Sequence, residues 1–412
     1  MNKEDKVIEP KLRFPEFKGK DFWKTEPLGK LAKPLTGKVG EKKVTLMSIT
    51  SGVGLVSQLE KFGREIAGSS QKNYIHIKNG DFAYNKSSTK LFPEGEVALL
   101  EKQDEGAVPN SIFTCFRFGS KVVPQFAKHP FSSNIHGNWL RKFIAVGARA
   151  NGALQVNNKD LFATPFPYPS PAEQQKIADC LLSLDELIQA ETERLEALQA
   201  HKKGLMQQLF PAEGETVPKL RFPEFQDSGE WVEKKLGDIA EFINGKAYKI
   251  EELLTSGKYR VLRVGNFFTN NQWYYSDMEL EEDKYCNNGD LLYAWSASFG
   301  PRIWKAEKVI YHYHIWKVLE KSKIDKQFLF VLLDFETENI KAAQARGLGM
   351  QHLTKSGIES WESTIPQTKE EQQKIASCLS VADELIAAQM KTIEQLQHHK
   401  KGLLQQLFPQ LD

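Results

Sequence analysis

The residues PKLRFPEF stand at 10–17 and return unchanged at 218–225. EQQKIA occupies 173–178 and again 371–376, and HKKGLMQQLFP at 201–211 reappears at 399–409 with one change, Met206 against Leu404. An Asn-Gly-Asp triplet sits near the middle of each copy, at 79–81 and 288–290. Stacked solenoid repeats have periods of roughly 20–50 residues, and a period of about 200 is far too long for one. The chain is therefore a duplicated domain, with units at 10–211 and 218–409. Between the repeated words the copies share little. One scaffold written twice with two unlike inserts implies two related tasks with different targets.

The repeated ends read as long helices. Ile177, Leu181, Leu184, Ile188, Leu195, Leu198, Leu205 and Leu209 follow one another at spacings of three, four or seven. Ile375, Leu379, Ala382, Ile386, Ile393, Leu396, Leu403 and Leu407 keep the same register. This is a seam of heptad type, which is buried only against a partner. Antiparallel pairing of the two helices is the simplest solution, because it relates the copies by a pseudo-twofold axis. Two unrelated surface helices would have no reason to share a register. Ser170-Pro-Ala-Glu173 and Thr368-Lys-Glu-Glu371 have capping-box spacing, with Pro171 at the first helical position. Lys202, Lys203, Lys400 and Lys401 place positive charge near the helix C-termini. Each helix spans about 38 residues, or roughly 57 Å at ~1.5 Å per residue.

Within the inserts, YIHIKNGDFAYNK, SIFTCFRF and KVIYHYHIWKVL alternate as strands do, and KQFLFVLLDFE reads as a helix. The expected fold is α+β, two mixed α/β heads joined by two long antiparallel helices. Residues 1–17 lead into the first repeat, 18–170 form the first head and 171–211 the first long helix. Residues 212–225 link to the second repeat, 226–367 form the second head and 368–412 the second helix.

The net charge of +2 hides an asymmetry. Residues 18–170 hold 22 Lys/Arg against 12 Asp/Glu, whereas 226–367 hold 18 against 21. The first head is basic enough to point to an anionic partner; the second alone is not. No stretch approaches the ~18 apolar residues that cross a bilayer, and the charged start MNKEDKVIEPK is no signal peptide. A cytoplasmic protein without membrane association is expected. Four cysteines make no disulfide framework, and Cys180 and Cys378, each after QQKIA, read as small buried helix residues.

Signatures of catalysis are missing. There is no GxGxxG, no GxxxxGK[ST] and no HExxH, and SGVGLV at 51–56 reads as a turn. His312 and His314, as alternate strand residues, could share a metal, but without a third ligand nearby they read as strand packing or a polar contact. EEDKYCNNGD at 281–290 lacks the spacing of strand-borne nuclease carboxylates. No Pro-Pro pair supplies an adenine-methyltransferase signature, and no Ser-His-Asp or Cys-His arrangement is visible. No catalytic residue and no metal site are expected. The chain reads as a recognition component.

The polar and aromatic residues of the inserts suit reading of a base sequence. After its Asn-Gly-Asp the first insert offers Asn85, Lys86, Ser87, Ser88 and Lys90, where Lys and Asn suit guanine and adenine edges and Ser suits phosphate or base. The second insert offers Tyr293, Trp295, Ser296, Ser298 and Arg302 at the corresponding place. Asn134, His136, Asn138 and Arg141 form a second dense cluster in the first insert, and Lys246, Arg260 and Arg263 are basic candidates in the second. For each of these the competing reading is an ordinary polar loop after a strand.

Taken over nearly its whole length, the sequence resembles the specificity subunits of type I restriction–modification systems. The resemblance rests on the PKLRFPEF openings, the EQQKIA helix starts, the HKKGLMQQLFP helix ends and the two dissimilar inserts. It implies two α/β target-recognition domains on long antiparallel helices, with no catalytic activity in the chain. It further implies a split, asymmetric site in double-stranded DNA and two modification (methyltransferase) subunits that methylate adenine with S-adenosylmethionine. Restriction subunits, driven by ATP with Mg, would join that core. These cofactors belong to the partner subunits, so none is expected in this chain. The repeated words are scaffold words, so no base-reading residue follows from them. A specificity subunit of a related type II system, or an adaptor built on a helical pair without DNA binding, are the alternatives.

Overall fold

The computed structural model describes residues 8–66, 69–144, 154–268, 270–296, 298–345 and 353–409, with the side chains of Ser69, Ser298 and Gln344 left aside. The chain forms two compact units, Met1–Glu191 with Thr392–Asp412, and Thr192–Lys391. Each unit therefore holds one head, the near half of that head's own long helix and the far half of the other repeat's helix.

In the first unit the strands are β1 (Lys24–Pro27), β2 (Ala32–Leu35), β3 (Thr45–Thr50), β4 (Gly54–Ser57), β5 (Ile75–Lys78), β6 (Phe82–Asn85), β7 (Glu96–Leu99), β8 (Glu105–Val108), β9 (Phe113–Phe118) and β10 (Pro165–Tyr168). They pair as two four-stranded sheets, β2-β9-β6-β7 and β4-β3-β8-β5, and a β1-β10 ribbon. Period-two alternation sends Phe82, Tyr84, Phe116 and Phe118 to one face of the first sheet and Ala83 and Cys115 to the other. The large rings pack on Phe126 and Phe131 of the helix Pro124–Ser132 and on Ile177 and Leu181 of the first long helix. The small residues pack on Met47, Ile77 and Val108 of the second sheet. Fully burying each such side chain contributes about 1.5–3 kcal/mol, so this ring cluster dominates the unit's apolar stabilisation.

The second unit repeats this design. Its strands are β11 (Val232–Lys235), β12 (Ala240–Asn244), β13 (Tyr259–Leu262), β14 (Tyr274–Ser276), β15 (Tyr285–Cys286), β16 (Leu291–Ser296), β17 (Ser298–Ile303), β18 (Val309–Tyr311), β19 (Ile315–Glu320) and β20 (Glu362–Ile365). Their order, β12-β19-β16-β17 with β14-β13-β18-β15 and the β11-β20 ribbon, matches the first unit strand for strand. A parallel strand pairing recurs too, β3 with β8 and β13 with β18. The unlike inserts are one fold. The expected strand KVIYHYHIWKVL is broken: β18 ends at Tyr311, 312–314 form a turn, and β19 starts at Ile315 in the other sheet. KQFLFVLLDFE lies in the helix Lys326–Ala345. The first insert has two short helices there, because Pro130 supplies no N–H to the helix ladder and Asn134 turns into the left-handed region at φ 60° before Ile135–Leu140.

The repeated words close each unit in the same way. Arg13 donates from Nε and Nη2 to the two oxygens of Glu173, each at 2.8 Å, and Trp23 Nε1 donates to the same carboxylate. Arg221, Glu371 and Trp231 repeat this, with guanidinium distances of 2.8 and 2.9 Å. Gln174 clips the insert to the long helix by accepting from Val123 N and donating to Lys121 O; Gln372 does so with Asp325 N and Lys323 O. The helix end of the opposite copy completes each nest. Phe408 meets Trp23 edge-on at 6.2 Å in the first unit, and Phe210 meets Trp231 at 6.0 Å in the second. Backbone bonds from Leu12 N to Gln406 O and from Leu220 N to Gln208 O tie the PKLRFPEF words to the same ends.

The long helices run Pro171–Leu209 and Lys369–Leu407. In the first unit Ile177 and Leu181 share a core with Leu403, Leu404 and Leu407. In the second, Ile375 and Leu379 share one with Leu205, Met206 and Leu209. Helix starts meet helix ends, so within each unit the segments run antiparallel. Three details differ from expectation. Glu173 and Glu371 serve the buried arginines rather than a capping box, although Thr368 Oγ1 still accepts from Glu371 N at 3.4 Å. Lys202 and Lys400 do not serve a helix dipole: Lys202 pairs with Asp383 at 2.7 Å and Asp334 at 3.3 Å, and Lys400 with Asp185. Cys180 and Cys378 are half-buried, while Cys115 and Cys286 are the buried thiols, pushed up chiefly by burial.

Seam burial is graded. Ile177, Leu181, Leu209, Ile375, Leu379 and Leu407 are buried, whereas Leu184, Ile188, Leu195, Leu198, Leu205, Ile386, Ile393, Leu396 and Leu403 are half-buried. An aspartate in place of both Leu195 and Leu198, or of Ile393 and Leu396, still reaches water and is expected to destabilise by about 1–3 kcal/mol. Leu181→Asp or Leu379→Asp strands its charge inside a core and should cost more. Urea unfolding of the four variants checks this; equal losses would show the seam to be uniformly buried.

Candidate nucleic-acid interface

In both heads the strand after Asn-Gly-Asp, an interior strand of its sheet, ends in a tip. The triplet itself is architectural. Gly80 and Gly289 sit at φ 88° and 89°, where a side chain is strained. Asp81 and Asp290 accept from the backbone N–H three residues before them, and are paired with Arg117 at 2.5 Å and Lys317 at 2.9 Å. From these fixed turns the strands align residue by residue. Tyr84 and Tyr293 are both fully buried; Lys86 and Trp295 both follow at the tip. Lys86 N donates to Ile112 O, and Trp295 N donates to His314 O. One backbone position thus carries a lysine in one head and a tryptophan in the other.

The first tip is polar and cationic. Asn85 Oδ1 accepts from Ser87 N, Thr89 Oγ1 accepts from Phe92 N, and these turns hold Ser88 and Lys90 in solvent. Lys86 is half-buried, and burial lowers its pKa. No carboxylate among the described residues pairs with Lys86 or Lys90, so both charges remain available to an anion.

The second expected cluster in this head is mainly a clamp. Arg141 Nε and Asn134 Nδ2 donate to the Glu94 carboxylate at 2.7 and 3.1 Å, and Tyr84 Oη donates to Glu94 O at 2.6 Å. Burial alone would raise the Glu94 pKa; Arg141 and Asn134 outweigh it and hold it below the ordinary range. His136 is fully buried, contacts Gly95 O at 2.9 Å, and is pushed down to about 4, first of all by burial. The expected base contact at His136 therefore fails on geometry. Gly95 explains the clamp: it sits at φ 90°, and a Cβ there would come within 2.5 Å of Asn85 O. Asn138 is exposed, and Arg141 keeps 65% of its side chain in solvent.

The second tip is aromatic. Tyr293 is a core residue with its hydroxyl on Thr337 at 2.9 Å, so it too presents nothing to a ligand. It begins a ladder that leads outward: Tyr293 stacks on Trp316 at 5.9 Å and Trp316 on half-buried Trp295 at 5.5 Å. Trp295 Nε1 donates to Tyr313 O, and its ring meets His314 edge-on at 5.0 Å. His312 and His314 lie 4.8 Å apart with Tyr313, 37% exposed, between them. No group of three or more His, Cys, Asp or Glu that could hold a metal occurs among the described residues. Ser296 is half-buried at the hairpin, and the side chain of Ser298 lies outside the described residues.

The expected basic residues divide. Lys246 is paired with Glu252 at 3.2 Å and Arg260 with Glu307 at 2.7 Å. Arg263 lies over the Tyr274 ring at 5.1 Å and exposed Arg302 over Phe267 at 5.4 Å, and neither meets a carboxylate among the described residues. The 312–314 turn is what sequence reasoning missed. Its signal was present: three polar or amphipathic residues interrupt two apolar runs.

Comparisons with known proteins agree on one kind of molecule. A family model described as Type I restriction modification DNA specificity domain matches residues 228–398. The type I restriction enzyme MjaVIII specificity subunit of Methanocaldococcus jannaschii is 27% identical over 285 residues, 65% of this chain and 66% of that protein. The putative type I restriction enzyme MjaX specificity subunit of the same organism is 26% identical over 324 residues, 76% of this chain and 74% of that one. The crystal structure of a type I restriction–modification system S subunit from M. genitalium covers 98% of this chain and 100% of its own, with a TM-score of 0.57 at 16% identity. That likeness shows a shared fold. No helix among the described residues is long and apolar enough to cross a membrane.

Proposed function

We propose that the chain is a specificity subunit of the type I restriction–modification family and that it reads a bipartite, asymmetric site in double-stranded DNA, one half with each head. The observation that carries this reading is one strand order presenting Lys86 at the first tip and Trp295 at the second. Equal folds with unequal tips suit two unequal half-sites. Lysine and arginine contacts to phosphates position each head, and contacts to base edges specify. The chain supplies recognition without chemistry. Two modification subunits bring S-adenosylmethionine to an adenine in each half-site, extruding it from the stack; restriction subunits bring ATP and Mg. The protein works in the cytoplasm.

The test is the methylated-adenine consensus of cells with and without this gene, alongside binding of duplex DNA by the chain assembled with its modification subunits. A split, non-palindromic consensus that disappears with the gene is expected. Binding should weaken with salt, with a slope of about 0.9 per phosphate contacted. Salt-insensitive binding would favour the adaptor reading. Methylation or cleavage by the highly purified chain alone would overturn the non-catalytic assignment.

A further inference from the structure

We propose that the His312–Tyr313–His314 turn, with Trp295 beside it, is the element of the second head that discriminates base edges in its half-site, and that Lys86 with the exposed Asn110 and Ser111 is its counterpart in the first head. The inference rests on the DNA-reading function above and assigns residues to it.

Three observations converge. The turn joins β18 to β19 and thereby crosses from one sheet to the other, as the turn of residues 109–112 does between β8 and β9. Two corresponding backbone bonds, Trp295 N to His314 O and Lys86 N to Ile112 O, fix both turns against the same strand ends. A shared frame thus carries Pro-Asn-Ser-Ile in one head and His-Tyr-His in the other. The second observation is rigidity. The Tyr293–Trp316–Trp295 ladder grows from fully buried rings, and the turn's rings pack on its outer end, with Tyr313 and His314 only 3.9 Å apart. Rings held this way lose little freedom on binding. The third is chemistry. Burial, then the charges of His314 and Arg263, holds His312 down at about 4, and burial lowers His314. A neutral imidazole offers one N–H donor and one nitrogen acceptor, whereas a cationic one only donates. His312 Nδ1 accepts from His314 N at 3.5 Å, which leaves its Nε2–H as a donor; base edges in the major groove differ in where they accept such a donor. Arg263, without a carboxylate partner among the described residues, is placed beside the imidazoles to take a phosphate.

The experiment uses the full chain assembled with its modification subunits. Methylation rates are measured on duplexes in which each base pair of the two half-sites is varied in turn. His314→Ala and Tyr313→Ala should lower discrimination at one or two positions of the second half-site by about tenfold, with the first half-site unchanged. Lys86→Ala should show the reverse. A second measurement covers the event that a variant misfolds: modification of the wild-type imidazoles by diethyl pyrocarbonate. DNA carrying the second half-site should protect His314, and DNA carrying only the first should not. Unchanged discrimination in both turn variants, or equal protection by both DNAs, overturns the assignment. A wild-type assembly without split-site preference would instead overturn the function on which it rests.

Discussion

Glu173→Ala is expected to destabilise the first unit by about 3–5 kcal/mol, because it removes the buried bidentate carboxylate from the Arg13 guanidinium and leaves it only the exposed Glu9 at 3.3 Å. Arg13 and Glu173 are 6% and 1% exposed, and the lost oxygens also accept from Trp23. Glu371→Ala removes the same partner from Arg221 in the second unit and should have a similar effect there. Each loss should be local. Hydrogen exchange in Glu173→Ala should quicken at residues 12–23 and 403–408, while 220–231 and 205–210 keep their protection. Glu371→Ala should give the opposite pattern. If either variant loosens both units equally, or costs under about 1 kcal/mol, the pair is not what closes the nest.

The contrast between these pairs and the tips explains what the sequence could tell. The repeated words were legible because one packing problem, an arginine, a tryptophan and a carboxylate under a phenylalanine, was solved twice with the same letters. The helices were legible from the heptad period. The partner of Glu173 was not, since a carboxylate three residues into a helix suits a capping box as well as a distant arginine. The common strand order of the inserts was hidden for another reason. A strand buried on both faces asks only for apolar residues, so Phe82-Ala-Tyr and Leu291-Leu-Tyr serve equally. Burial of His136 and Tyr293 was hidden because a polar atom is admitted to a core wherever the backbone or a hydroxyl meets it, and neighbours in sequence do not reveal that. Lys86 and Lys90 were legible as candidates, since lysine after a strand end needs solvent or an anion.

A chain in which residues 28–164 replace 236–361 is expected to fold and, with its modification subunits, to read the first half-site sequence in both halves. The junctions favour it. Leu28 N donates to Thr164 O at 2.8 Å just beyond the β1-β10 ribbon, and Leu236 N donates to Trp361 O at 2.9 Å just beyond β11-β20. Both leucines are fully buried, so the splice joins equivalent backbone at equivalent depth. Gln372 would find Lys121 O and Val123 N where it now holds Lys323 O and Asp325 N, the contacts Gln174 already makes. The mismatch lies under the helix end. Phe210 stacks on Phe335 at 4.5 Å and Phe328 at 6.0 Å, whereas the transplanted head offers Phe126 and His129, which now face Phe408 at 5.3 and 6.1 Å. Phe126 conserves ring volume beneath Phe210, an exchange that typically costs under about 1.5 kcal/mol; His129 is a smaller, polar ring, but one that the first unit already buries against Phe408. The methylated-adenine consensus of the chimera decides the matter. Two copies of the first half-site sequence would show that each head carries its specificity entire. A consensus that retains the present second half-site would place that specificity in the scaffold or the partner subunits, since Trp295 and the 312–314 turn would no longer be there to read it.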